Sequence, residues 1–328
     1  MSHTTARDLG DGIGLIPLPI PFRGLDWVNA YAIADEAGLT LIDCGVFSDD
    51  GYDALTTGLS DLGHSLDAVH TLVVSHLHPD HVGLAPRLVE ELDCRFVMHE
   101  RADLGLRILN NPTEWGPNFA ALAHDHGAPA DVVAFFDAMT VAPDWWHLVD
   151  PPRETVSDGD TIAVGEGREL EVIYTPGHEI AHICLQDSRT GVLFSGDHVL
   201  PRITPYVGFE DPERDPNPLG NFIISLQRIV DGDHGVTYPA HGDIVDRGSA
   251  RAEQIILHHE RRLDDMLGEI IDPATAWDVM GEIFRPNLDL FHKRLALRET
   301  LSHLELLVHE HRAHRETDHG LWHYRRSH

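Results

Sequence analysis

Residues 75–81 read SHLHPDH and follow directly on the apolar run TLVV. Three histidines and an aspartate crowd into the six positions 76–81, where a strand has just run out. Protonated, these imidazoles repel one another; buried, each needs a partner. A metal ion removes both difficulties, because neutral imidazole nitrogens and carboxylate oxygens are its natural ligands. His76 and His78 lie two apart and project to one side of an extended backbone. Pro79 ends the strand, so Asp80 and His81 turn back from the start of the next helix. The segment offers a histidine pair to one ion and an aspartate with a histidine to another.

Three further side chains repeat the arrangement. His178 in TPGHE, Asp197 in LFSGDHV and His241 in YPAHGD each follow an apolar, strand-like run. In each case a strand delivers a metal-compatible group from its C-terminal end.

The elements that must position these groups are legible as short apolar runs between turn signals. WVNAYAIA, GLTLIDCG, HTLVVSHLH and CRFVMH read as strands, with helical DDGYDALTTGLSDLG and APRLVEELD between them. Such alternation predicts an α/β layered domain. Residues 101–150 are rich in helix formers and carry Trp115, Phe119, Phe135, Phe136, Trp145 and Trp146. This segment reads either as a lid with an apolar wall over the site or as a helical insertion with its own core. TIAVG, ELEVIYTPGH, HICLQD and GVLFSGDHV form a second strand-rich block. A Pro- and Gly-dense loop follows over 201–220, then the helix NFIISLQRIVD and the strand VTYPAHGD. From residue 246 the texture is helical: three helices, the last with Leu297, Leu301, Leu304 and Val308 on one face. RETDHGLWHYRR then reads as a hairpin turning at Asp-His-Gly. The expected organisation is a catalytic domain over 1–245, with 101–150 as insertion or lid, and a small winged-helix-like domain over 246–328.

Taken together, SHLHPDH, TPGHEIAH, SGDHV and PAHGD resemble the metallo-β-lactamase superfamily of αββα hydrolases, as do the opening PLPIPFRGLDWVNAYAI and the LIDCG strand. The resemblance covers about residues 13–245. It implies that His76, His78 and His178 hold one Zn²⁺, that Asp80, His81 and His241 hold the other, and that Asp197 bridges both. Iron or manganese tolerates the same ligands. A hydroxide shared by the two ions would be the nucleophile, with Asp80 also orienting it and carrying a proton toward the leaving group. Asp43 in LIDCG is a candidate acceptor for a ligand histidine N–H. Tyr206, in the Pro-rich loop, is a candidate donor to a substrate oxygen, against packing. His198, on the opposite side of an extended chain from Asp197, is expected near the mouth of the site. The resemblance treats His182 as a residue that packs beside the ligands or supports them rather than joining them, and His99 is expected to be a satisfied strand-end histidine. The tail resembles the winged-helix-like extension found on some members, including lactamase-like endoribonucleases.

Composition narrows the partners. The chain of 328 residues has a formal charge of −30, and Lys293 is its single lysine. Residues 1–245 hold 39 of the 54 acidic residues but 12 of the 24 basic ones. Such a field repels polyphosphates and leans against nucleic acid. The start has neither a basic segment nor an apolar core, and no apolar run reaches the ~20 residues of a membrane span. A cytoplasmic protein free of the membrane is expected, and the apolar face of the last helix is compatible with a homodimer. Cys44, Cys94 and Cys184 lie in apolar segments without CxxC spacing and read as buried thiols. The C-terminal histidines His309, His311, His314, His319, His323 and His328 lack strand-end placement and read as surface. The favoured function is a dinuclear zinc hydrolase of a small ester-like molecule, a thioester or lactone. The alternatives are a phosphodiesterase or endoribonuclease of the lactamase-like type, and a non-catalytic metal-binding scaffold.

Overall fold

The computed structural model describes residues 5–21, 26–110, 115–138, 149–165, 167–209, 213–270 and 273–327. The chain divides into two compact units. The first comprises Met1–Asn110, Pro143–Pro205 and Arg228–Ala252; the second comprises Asn111–Ala142, Tyr206–Gln227 and Glu253–His328. Two segments upstream of residue 246 thus group with the C-terminal helices.

In the first unit, β1 (Arg7–Asp8), β2 (Ile13–Pro19), β3 (Trp27–Ala34), β4 (Leu39–Ile42), β5 (Val69–Val73), β6 (Arg95–His99) and β7 (Glu154–Val156) form one sheet in sequence order. β2 to β4 are antiparallel and β4 to β7 parallel. The parallel crossovers run through α1 (Asp49–Asp61), then α2 (Pro79–Val82) and α3 (Ala85–Leu92). The pleat sends alternate side chains to two cores. Ile16, Leu18, Ala30, Leu41 and Leu72 pack toward Leu55 and Leu59 of α1 and Leu88 of α3. Ile13, Leu15, Tyr31, Ile33, Ile42 and Val73 pack against Ile162, Val164, Leu170 and Val172 of a second sheet. A strand buried on both faces does not alternate with exposed polar residues, which is why LTLI and TLVV carry nothing more polar than the buried Thr40 and Thr71.

The second sheet contains β8 (Thr161–Gly165), β9 (Arg168–Tyr174), β10 (Ile183–Asp187), β11 (Leu193–Gly196) and β12 (Thr237–Pro239), in the order β12-β11-β10-β9-β8. Thr161, Ala163, Glu169 and Glu171 are exposed on its outer side, so β8 and β9 do alternate. The helix α4 (Ala102–Leu109) also belongs to this unit.

The second unit holds α5 (Trp115–Asp125) and α6 (Ala130–Asp137). Phe119 and Phe136 are buried and meet edge to face at 4.6 Å, and the Arg298 guanidinium lies 4.6 Å from the Phe119 ring centre. These two aromatics therefore build the unit's own core, whereas Phe135 is exposed and Trp145 and Trp146 lie outside the described residues. Helix α7 (Pro218–Asp231) starts three residues before NFIISLQRIVD. Asn217 caps it, its Oδ1 accepting the Gly220 N–H at 3.1 Å, and Pro218 takes the first helical position. Three helices follow: α8 (Gly248–Glu269), α9 (Ala276–Ile283) and α10 (Leu290–His309). Thr275 and Asp278 form a reciprocal capping box at α9. The hairpin of β13 (Ala313–Asp318) and β14 (Leu321–Arg326) turns through His319-Gly320, whose φ values of 50° and 84° suit a type I′ turn. Ala274 pairs with Tyr324 beside it. Leu297, Leu301 and Leu304 are buried; His309, His311, His314 and His319 are exposed. Among the described residues no helix is long and apolar enough to cross a membrane.

Candidate metal centre

Strand direction brings the chemical groups together. β2, β4 and β5 run the same way, and so do β9, β11 and β12. His178 follows β9, Asp197 follows β11 and His241 follows β12, so these three leave the C-terminal ends of mutually parallel strands of the second sheet, while SHLHPDH leaves the C-terminal end of β5 in the first. Hydrogen bonds tie the two sheets here. Ile183 N–H donates to Ser75 O at 2.9 Å, and Asn29 N–H to Ala240 O at 2.7 Å. The Asn29 amide also donates to Pro239 O and Gly242 O, both at 3.0 Å, clamping the loop on either side of His241.

Two donor groups result. His76, His78, His178 and Asp197 form one; Asp80, His81 and His241 form the other, and within each the donor atoms lie within 4.8 Å of one another. Asp197 faces both. Its Oδ2 is 3.4 Å from His178 Nε2, while its Oδ1 is 3.4 Å from His241 Nε2 and 3.7 Å from His81 Nε2. Asp80 Oδ2 lies 3.3 Å from His241 Nε2 and 3.7 Å from His81 Nε2. His78 caps α2 in extended backbone, and its ring is 4.7 Å from that of His76 and 4.5 Å from that of His178.

Proton placement follows from the outer partners. Asp43 sits at φ 58° just after β4; its Oδ2 accepts His81 Nδ1–H at 2.8 Å and Ser75 Oγ–H at 2.9 Å, and its Oδ1 accepts Ser75 N–H at 2.8 Å. With its hydroxyl proton so committed, Ser75 accepts His76 Nδ1–H at 3.0 Å. Trp27 O accepts His241 Nδ1–H at 2.9 Å. Three rings are thereby turned so that Nε2 points inward as the bare nitrogen. His76 Nε2, His81 Nε2, His241 Nε2 and Asp197 Oδ1 are buried with no hydrogen-bond partner. Orphaned acceptors of this kind, converging from two sides, fit cations.

The electrostatics agree. Burial pushes His76 well down, and the neighbouring His81 and His78 add to it. Burial works against His81 too, but Asp80, Asp43 and Asp197 outweigh it and hold that ring at about 9. His241 is likewise held well up, burial being overcome by Asp197 and Asp80. Against burial, His241 and His81 keep Asp197 well below the usual carboxylate range. Positive charge is thus favoured at the centre, whether protons or a metal supply it.

Other residues singled out by sequence fall elsewhere. His198 is fully buried with its ring 5.8 Å from that of His182, not near a mouth: the bend after β11 carries it inward. Tyr206 belongs to the second unit, where its hydroxyl folds over its own loop at Gly208. His99 stacks flat on Tyr174 at 4.1 Å and accepts the Arg101 N–H. All three cysteines are free and buried; burial pushes Cys184 up to about 12. Asn29 and Ser75 join the site without any motif of their own, although a polar Asn inside the apolar run WVNAYAIA is itself a signal.

A model of the metallo-beta-lactamase superfamily matches residues 23–241, and one of the metallo-beta-lactamase-like C-terminal domain matches residues 263–327. The crystal structure of a metallo-beta-lactamase family protein from Thermus thermophilus superposes with a TM-score of 0.82 at 31% identity, covering 98% of this chain and 100% of that one. A beta-lactamase domain protein from Burkholderia ambifaria gives 0.80 at 29% identity, covering 99% and 94%. The probable metallo-hydrolase YqjP of Bacillus subtilis is 26% identical, over 89% of this chain and 91% of its own length. The lactamase-like protein adaB of Aspergillus niger is 25% identical over 82% of this chain, which spans 65% of that protein's length. Two sheets packed face to face, with donor groups collected at one edge and a family model spanning both sheets, carry the conclusion: this chain belongs to the metallo-beta-lactamase superfamily.

Proposed function

We propose that the protein is a dinuclear metal-dependent hydrolase of a small ester-like substrate, a thioester or lactone. His76, His78 and His178 would hold one divalent cation, Asp80, His81 and His241 the second, and Asp197 would contact both. One observation carries this reading: the two oxygens of a single buried carboxylate face the two donor groups separately. Nitrogen-rich donors with carboxylates favour zinc, with iron or manganese as alternatives. When bound, such cations supply a Lewis acid and a water acidic enough to act near neutral pH.

The remaining work belongs to the chain. Asp43, Ser75 and the Trp27 carbonyl accept the Nδ1–H of three imidazoles, so Nε2 is the nitrogen each ring would turn toward a cation. With Asp80 Oδ2 turned to the donor group of His81 and His241, its other carboxylate oxygen would take a proton from an attacking water and hand it to the leaving group. The substrate's apolar part would enter a cavity of about 540 Å³ lined by Pro19, Ile20, Pro21, Val46, Phe47 and Ser48 together with Asp49 and Asp50. β2 and β4 deliver these residues at the edge that also carries SHLHPDH. A net charge of −30 favours a small neutral substrate over RNA or DNA.

The test is hydrolysis profiling of metal-assayed protein on acyl-thioesters, lactones, β-lactams, bis-nitrophenyl phosphate and RNA. Turnover of thioester or lactone with two equivalents of metal is expected. Full activity in demetallated protein would end the metal reading, and cleavage of RNA or phosphodiester alone would replace the substrate class.

A further inference from the structure

His182 is fully buried, and both its ring nitrogens are committed. Its Nε2 accepts the backbone N–H of Asp197 at 3.1 Å, and its Nδ1 meets Thr175 Oγ1 at 2.8 Å. A backbone amide can only donate, so Nε2 must be the bare nitrogen and Nδ1 must carry the proton that Thr175 Oγ1 accepts. The ring is locked as one neutral tautomer and has no lone pair left for a metal. It grips the amide of the very residue whose carboxylate spans the two donor groups.

The rest of the Asp197 loop is pinned with equal care. Ala240 N–H donates to Gly196 O at 2.9 Å, His198 N–H donates to Ser195 O at 2.9 Å, and Ser195 Oγ–H donates to Val199 O at 3.0 Å. Gly196 has φ 49°, and a Cβ there would lie 2.6 Å from His182 Nε2, so the loop closes onto the imidazole with no room for a side chain.

We infer that His182 is a positioning residue that sets the rotation of Asp197, and with it the ability of one carboxylate to serve two cations at once. The inference rests on the two-cation reading above. Losing the grip on the amide lets the loop relax and turns one carboxylate oxygen away from its donor group, so the centre keeps one cation firmly and the other weakly.

Replacement by Gln, Asn and Ala separates this from simple packing. His182→Gln keeps an acceptor near the position of Nε2; His182→Asn keeps a polar group only near Nδ1, on the Thr175 side; His182→Ala keeps neither. Chelator-stripped proteins are titrated with zinc against a chromophoric chelator, cobalt spectra report the geometry of each site, and melting of the stripped proteins reports the fold. The expected result is two zinc ions on the unchanged protein and on His182→Gln. On His182→Asn and His182→Ala the weaker ion loses affinity by about 10- to 100-fold. Should the Ala variant not fold, the Gln and Asn pair decides. Unchanged affinity for both ions in His182→Asn overturns the inference, as does a loss in His182→Gln equal to that in His182→Asn. An unchanged protein that takes up no zinc overturns the proposed function and this inference together, whereas two ions bound regardless of residue 182 overturns this inference alone.

Discussion

Each unit buries a pair of histidines, and the two pairs are treated oppositely. In the first, His81 and His241 lie against Asp80 and Asp197, and the carboxylates hold both rings toward the protonated state. In the second, His259 Nδ1 and His303 Nε2 are 3.1 Å apart, and His303 Nδ1 donates to Glu299 O at 2.7 Å. That leaves His303 Nε2 as acceptor and His259 Nδ1–H as donor. No carboxylate oxygen faces the pair at hydrogen-bond distance among the described residues. Burial, with a push from neighbouring His258 and Arg262, takes His259 to about 2 and His303 to about 4. Burial acts alike on all four imidazoles; the partner decides the outcome. Carboxylates make a centre that wants positive charge, and a carbonyl makes a neutral structural pair.

The contrast can be broken most severely at the bridge. Asp197→Ala should remove metal and turnover together, with kcat/KM falling by at least roughly 10²–10³-fold, the scale of losing a principal electrostatic stabiliser. Elemental analysis and kinetics on the same sample check it. Asp43→Asn should be milder, weakening metal affinity by about 10- to 100-fold through a loosened His81 ring, read by chelator competition.

Acidity separates the two pairs by sign. In metal-stripped protein the stability contributed by His81 is complete below its ordinary value of ~6.5 and is lost as pH climbs through about 9. For His259 and His303 the order reverses: stability is whole above ~6.5 and declines as pH falls toward about 4. Hydrogen exchange should show α2 loosening on the alkaline side and α10 on the acid side; loosening of both on the same side would contradict the contrast. The smallest effect is expected from replacing His259 and His303 together by Leu. Removing both members of a buried polar pair leaves no orphan, so stability at pH 7 should change little while the acid sensitivity of α10 disappears.

Much of the centre was legible because its ligands come in local motifs. SHLHPDH, TPGH, SGDH and PAHG each join a strand end to a donor, the first on one sheet and the other three on parallel strands of the second. The supporting groups were less legible. His182 reads as a packing or supporting residue, but nothing local says that its Nε2 receives the amide of residue 197. Asn29 acts on a loop more than 200 residues away. His198 was misplaced because strict strand alternation was carried past Gly196, where the strand has already ended. The second unit was blurred for a related reason: residues 111–142 and 206–227 join the C-terminal helices only after folding, and linear order hides that association.

By itself the sequence determined the residue types, the strand-end spacing of seven donors and the apolar runs of a strand buried on both faces. These are properties of neighbours along the chain, set by backbone geometry and side-chain chemistry. Only the tertiary structure decided which nitrogen of each imidazole faces inward, which oxygen of Asp197 serves which donor group, and which buried histidines meet carboxylates. Those choices depend on partners far apart in sequence, whose distances exist only once the two sheets have packed.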